Sequence, residues 1–222
     1  MNPKICISIM ADTFEDFISL GLKAQEKADI IEIRADAMPF LDKDSLFRFK
    51  STMQTPCIYT CRSASEGGLF TGTENERYTF IREGIDAGFS YVDIELNTLK
   101  KKYFDTKRSK LIASYHNLQN TPNITELERI IEESQDYYPS IIKIATTINE
   151  DSDCNVLYKL LLSKTNDIQY IVIGMGEKGS KTRFIAPFLG SFLTFASFEG
   201  KSSASGQIDI DIMRNLFSNF YK

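Results

Sequence analysis

The sequence predicts an α/β protein, a single-domain (β/α)8 barrel of the TIM type, on three observations. Eight short runs rich in β-branched residues recur along the 222 residues, amphipathic stretches lie between them, and the chain finishes on a helical pattern. Such alternation implies a parallel sheet with helical crossovers. Eight units ending in a helix fit a closed barrel better than an open sheet of five or six strands. No stretch rich in Gly, Pro or Ser divides the chain, so one domain is expected over 1–222.

The runs are KICISIM (4–10), DIIEIRAD (29–36), PCIYTCRS (56–63), YVDIEL (91–96), KLIASYH (110–116), SIIKIATT (140–147), IQYIVIGM (168–175) and FLTFASF (192–198). Each has the length of a strand buried on both faces. After the first run, TFEDFISLGLKAQEKA repeats apolar residues at three- and four-residue spacing, with Thr13 as a start signal ahead of Glu15 and Asp16. The same spacing predicts helices in ENERYTFIREGIDAG, in NITELERIIEESQDYY behind Thr121 and Asn123, in CNVLYKLLLSK and in the closing DIDIMRNLFSNFY.

The composition, 42% apolar and 25% charged, is that of an ordinary globule. A net charge of −4 and scattered lysines and arginines leave no electrostatic footprint for nucleic acid or an anionic membrane. No apolar run approaches the roughly 18 residues of a spanning helix, and MNPKICISIMADTFEDF lacks the features of a signal peptide, so a cytoplasmic location is expected. Cys6, Cys57, Cys61 and Cys154 form no dense framework, and one histidine leaves little to complete a zinc site. Buried free thiols and no metal are the expectation.

A barrel strand is apolar on both faces, so a charge within one is costly unless paired, and the exceptions are informative. Glu32 and Arg34 interrupt the second run with one parity, Arg62 ends the third, and Asp93 and Glu95 share parity in the fourth. His116 closes the fifth, Lys143 sits inside the sixth, and Arg183 follows the seventh. Same-parity residues face one side, which places these groups at the C-terminal mouth of the barrel, where barrel enzymes do their chemistry. His116, the single histidine, then stands where an imidazole serves as acid and base. Glu32 with Arg34, or Asp93 with an arginine, also fit purely structural ion pairs. Lys143, flanked by SII and IAT, must snorkel to the mouth or sit desolvated, and a neutral lysine attacks carbonyls to form an imine.

GMGEKG (174–179) matches G-x-G-x-x-G after a strand, but little more than one strand–helix unit follows it, which rules against a dinucleotide fold. In a barrel the same loop suits an anion, with Lys178, Lys181 and Arg183 adding positive charge.

EIRAD, YTCRSASEGG, YVDIEL, SYHN, IIKIA, GMGEKGSKTRFIAPFLGSFLTF and KSSASGQ, in this order over essentially the whole chain, resemble the type I 3-dehydroquinate dehydratases of the shikimate pathway. The resemblance implies a (β/α)8 barrel, usually a homodimer, sometimes fused to a shikimate dehydrogenase. It implies syn elimination of water from 3-dehydroquinate to 3-dehydroshikimate through a substrate imine, without metal or cofactor. By the same resemblance Lys143 forms the imine, His116 shuttles protons, and Glu66 pairs with His116 to set its orientation and pKa. Glu32, Arg34 and Arg62 are matched to positions that hold ring hydroxyls. Arg183 and Gln207 are matched to positions gripping the carboxylate end and neighbouring hydroxyls, with Ser203 in a closing loop. Ser205 stands where that loop often carries proline, a change worth up to roughly 1 kcal/mol of loop order. The alternatives are a class I Schiff-base aldolase or transaldolase, and a non-catalytic barrel that binds a small acid.

Overall fold

The computed structural model describes residues 3–164, 167–200 and 204–220. Each of the eight apolar runs contains a strand: β1 (Lys4–Ile9), β2 (Ile30–Arg34), β3 (Cys57–Thr60), β4 (Tyr91–Glu95), β5 (Lys110–Asn117), β6 (Ile141–Thr147), β7 (Gln169–Met175) and β8 (Leu193–Ser197). A short ninth strand, β9 (Ile208–Asp209), has no counterpart among the predicted runs. All pairings are parallel, in the spatial order β7-β6-β5-β4-β3-β2-β1-β8-β9.

The two ends of this row meet. Tyr170 of β7 forms a parallel bridge with Ser191, just before β8, and the Phe192 N–H donates to the Tyr170 carbonyl at 2.7 Å. Towards the mouth, β9 pairs with Ala196 and Ser197 of β8. The turn leading into β9 lies so close to the chain beyond β7 that a Cβ on Gly206 would stand 2.3 Å from the Gly176 carbonyl oxygen. Gly206 also has φ of +78°, so it answers two demands that a side chain would violate.

The crossovers carry α1 (Phe14–Gln25), α2 (Lys43–Thr52), α3 (Glu74–Asp86), α4 (Leu96–Leu99), α5 (Ile124–Gln135), α6 (Asp151–Leu162), α7 (Ser180–Ile185) and the closing α8 (Ile210–Phe220). Thr13 caps α1 by accepting from the Asp16 N–H, and Thr73 with Glu76 forms a capping box on α3. Asn123 rather than Thr121 caps α5; Thr121 donates instead to the Thr147 carbonyl at the end of β6. The fourth crossover holds only the single turn of α4.

Strand alternation divides the core. Outward residues such as Ile7, Ile33, Tyr59 and Ile94 pack under α1, α2, α3 and α8, while Ile142, Ile144 and Val172 pack under α5 and α6. Inward residues Cys6, Ile30, Ile58, Ile112, Ile141, Ile171, Leu193 and Phe195 fill the barrel. One pleat period further along several strands these apolar groups give way to Ser8, Glu32, Thr60, Ser114 and Lys143. A dry floor therefore supports a polar layer at the mouth. All four cysteines are buried free thiols. Among the described residues no helix is long and apolar enough to cross a membrane.

Candidate active site

A cavity of about 260 Å³ opens at the C-terminal ends of the strands. Glu32, Arg34, Arg62, Glu66, His116, Lys143, Arg183 and Gln207 all line it. Ser203 lies outside the described residues. Ile173, Met175, Phe195 and Ala145 supply an apolar wall against this polar rim. Among the described residues no group of three or more His, Cys, Asp or Glu side chains is placed to hold a metal ion.

Lys143 rises from the middle of β6, 5% exposed, with its Nζ 4.9 Å from the centre of the Phe195 ring. It donates to Asp93 Oδ2 at 2.9 Å and stands 3.7 Å from Glu32 Oε1. Asp93 also accepts from Arg62 at 2.7 Å and from Ser114 at 2.6 Å. Burial alone would raise the Asp93 pKa, but Arg62 and Lys143 outweigh it and hold this carboxyl well below the usual carboxylate range. Asp93 is thus a fixed anion beneath the cavity. Glu32 is held by Ser8 and by Thr60, the latter at 2.9 Å.

Arg62 lies beyond the end of β3, not within the strand predicted through 63, because β3 stops at Thr60 and a tight loop follows. In that loop the Glu66 and Gly68 N–H groups donate to the Ser63 carbonyl. A Cβ on Gly68 would lie 2.0 Å from the Arg62 carbonyl oxygen, so the chain folds back on itself here only because residue 68 is glycine. The fold-back aims Glu66 at β5. Its Oε2 accepts from the His116 backbone N–H and meets His116 Nδ1, both at 3.0 Å.

Burial pushes the Glu66 carboxyl up to about 7, with Arg62 opposing the rise. Burial, with Arg62 and Lys143, pushes the His116 imidazole well below its ordinary value. An ionised Glu66 keeps the imidazole proton on Nδ1 and leaves Nε2 as the basic nitrogen. The three arginines of the cavity differ: Arg34 is clamped bidentately by Asp36 at 2.9 and 2.7 Å and Arg62 is held by Asp93, whereas Arg183 has no carboxylate partner among the described residues. Arg183 is 2% exposed; among the described residues its Nε finds no hydrogen-bond partner, and its NH2 meets the Ser205 carbonyl at 3.4 Å. Burial lowers its pKa to about 10.

A profile of the type I 3-dehydroquinases matches residues 5–222. The chain belongs to the type I 3-dehydroquinases. It is 38% identical over 221 residues to the 3-dehydroquinate dehydratase of Coxiella burnetii (strain CbuK_Q154), covering 100% of this chain and 95% of that one. Among solved structures, the 3-dehydroquinate dehydratase of Geobacillus kaustophilus HTA426 superposes with a TM-score of 0.88 at 25% identity, over 100% of this chain and 92% of the other. A dehydroquinate dehydratase and shikimate dehydrogenase from S. pombe shares the fold at a TM-score of 0.80 and 22% identity; 96% of this chain matches 44% of that longer one.

Within this type I 3-dehydroquinase, the loop after β7 departs from expectation. Lys178 donates to the Asn149 carbonyl and Lys181 pairs with Asp151, so both point to the preceding crossover and, of the three, only Arg183 turns into the cavity. Thr182 explains that turn, since its hydroxyl ties α7 to the glycines by accepting from the Gly174 N–H and donating to the Gly179 carbonyl. Sequence reasoning also passed over Ser8, Thr60 and Ser114, the hydroxyls that orient Glu32 and Asp93. Of the three, Ser114 offered a signal within its own strand, since it shares parity with His116 on β5. Asp93 and Glu95 do not line the cavity; they support residues that do.

Proposed function

We propose that this chain dehydrates 3-dehydroquinate to 3-dehydroshikimate through an imine on Lys143, with His116 as the single acid and base. One observation carries the reading: a buried lysine and the only histidine project from adjacent strands into one cavity. The lysine has carboxylates beside it, and the histidine is held by Glu66. Lys143 gives up an ammonium proton to His116 and attacks the ring ketone; that proton, returned by His116, and a second from the nitrogen pass to the ketone oxygen, which leaves as water, and a protonated imine remains. That imine acidifies the adjacent C–H bond, and His116 Nε2 takes the proton to give an enamine. The enamine expels the β-hydroxyl, which leaves as water with the proton returned by His116, and hydrolysis releases product and lysine. Because one base serves both transfers from one face, the elimination is syn. The imine is itself the electron sink, so the scheme calls for no metal or organic cofactor.

Arg183 supports the choice of substrate. A buried guanidinium with no carboxylate partner among the described residues matches one carboxylate, whereas Arg34 and Arg62 are already neutralised. A sugar phosphate, as an aldolase would require, brings a dianion to a site where, among the described residues that line it, Arg183 is the arginine without a carboxylate partner. A barrel that only binds an acid has use for Arg183 but none for Lys143 with His116. Glu32, Arg34, Arg62, Gln207 and Ser203 are assigned to hydroxyl and carboxylate contacts. Action in the cytoplasm as a homodimer completes the reading, which applies equally to a barrel fused to a shikimate dehydrogenase.

The test is an enone assay with 3-dehydroquinate and, separately, sugar phosphates, each followed by borohydride reduction and peptide mapping. Turnover and an adduct on Lys143 with dehydroquinate alone are expected; trapping by sugar phosphates instead would favour the aldolase. Arg183→Lys is expected to raise KM on the order of 10-fold with a smaller effect on kcat, since an ammonium lacks the bidentate fork. An unchanged KM contradicts the anchoring role. The kcat/KM profile is expected to fall below about pH 7 as Glu66 takes up its proton and ceases to stabilise imidazolium. Glu66→Gln should lower kcat on the order of 10²-fold and erase that acidic limb; a limb that persists assigns it to another group.

A further inference from the structure

We propose that Arg77, which does not line the cavity, is a positioning residue for the dehydration: with Glu95 it fixes the loop bearing Arg62 and Glu66 and governs how Arg62 is shared between Asp93 and Glu95. The inference rests on the functional reading above.

Arg77 occupies the buried face of α3, in line with Ile81 and Ile85, and has 0% of its surface exposed. A guanidinium has five N–H donors, and here every one is used. Nε and NH2 bond the two oxygens of Glu74, each at 2.9 Å, and NH2 also donates to Thr98 Oγ1 at 2.6 Å. NH1 donates to the Cys61 carbonyl at 2.8 Å and to Glu95 Oε2 at 3.0 Å. A simple helix ion pair would end at Glu74, which is half exposed. The remaining bonds reach across to the ends of β3 and β4.

Those bonds bracket Arg62. The carbonyl before it is held by Arg77, and the N–H after it, on Ser63, donates to Glu95 Oε1 at 2.8 Å. Held on both sides, Arg62 turns inward to Asp93 and Ser114 while its NH1 stays 3.3 Å from Glu95. Glu95 is therefore shared by two arginines. Without Arg77, the Glu95 charge falls to Arg62 alone and competes with Asp93, the carboxylate that holds Lys143. The released Cys61 carbonyl also loosens the loop whose Glu66 orients His116.

The charged groups around the dyad include Arg62 from its own loop, Asp93 and Glu95 from β4, Lys143 from β6 and Arg34 from β2, with Glu32 of β2 and Arg183 of α7 lining the same cavity. Loss of the Arg77 charge makes this surrounding more negative and favours the protonated imidazole. Loss of the Glu95 charge does the reverse.

Because His116 is the only imidazole, its NMR titration reads the site directly, without reliance on turnover. Arg77→Met is expected to raise the His116 titration midpoint by about half a pH unit or more and to lower kcat on the order of 10- to 100-fold. Arg77→Lys, which retains charge but has too few donors, should leave the midpoint in place and recover part of kcat. Glu95→Gln should move the midpoint downward, and it decides the matter alone if Arg77→Met does not fold. Midpoints that stay at the parent value in these charge-removing variants, with only Tm lowered, overturn the proposal. Failure of the parent protein to turn over 3-dehydroquinate overturns the functional reading instead, and leaves the titration result standing.

Discussion

Replacement of Lys143 by methionine is expected to lower turnover of 3-dehydroquinate on the order of 10⁶-fold and to abolish the borohydride-stable adduct. The amine is the reacting atom of the proposed scheme, so no neighbouring group substitutes for it. Methionine keeps an unbranched stem against Phe195 and the apolar residues of β6, preserving the packing. Asp93, which loses one cation, retains Arg62 at 2.7 Å and Ser114 at 2.6 Å, so the buried carboxylate is not stranded. Intact mass after reduction and a thermal melt read the two effects separately. A surviving adduct on another lysine would remove Lys143 from the mechanism.

His116→Ala is expected to cost about 10²- to 10⁴-fold in kcat, the range of general acid–base catalysis, while imine formation continues at a slower rate. The two steps separate because carbonyl attack needs an amine whereas elimination needs a base and then an acid on one face of the ring. The variant should fold, since the backbone N–H of residue 116 that donates to Glu66 survives the change. Reduction should then trap the mass of substrate on Lys143, with little of the dehydrated species that the parent yields. Dehydration at the parent rate would show that the proton travels through another group.

The architecture is legible in the sequence because a parallel strand covered on both faces has to be a continuous apolar run, and eight such runs stand apart. Glu32, His116 and Lys143 are legible for the complementary reason, as charges or polar groups placed where apolar residues belong. Where a residue carries no such penalty, the signal fades. Ser8 and Thr60 fit a strand as well as any neighbour does, so nothing marks them as the supports of Glu32. α2 escapes notice because Leu46 and Phe49 are its only buried residues, too few to set a period. The directions of Lys178 and Lys181 depend on where Asn149 and Asp151 happen to lie in the preceding crossover, contacts 29 and 30 residues apart that local pattern does not encode. Arg77 is the instructive case, because an arginine in line with Ile81 and Ile85 reads as a break in an apolar stripe until its five bonds are seen.

Arg183 gives the folded state an unusual reference point. A desolvated cation whose Nε has no partner among the described residues is a cost to the folded state. An anion that seats there does more than dock: it removes a standing penalty from the native state alone, since the unfolded chain has its arginine in water. The ligand is in that sense a missing piece of the core, adding about 2.7 kcal/mol to the free energy of unfolding when present at a hundred times its dissociation constant. Resistance to heat is then expected to rise with the concentration of the bound anion.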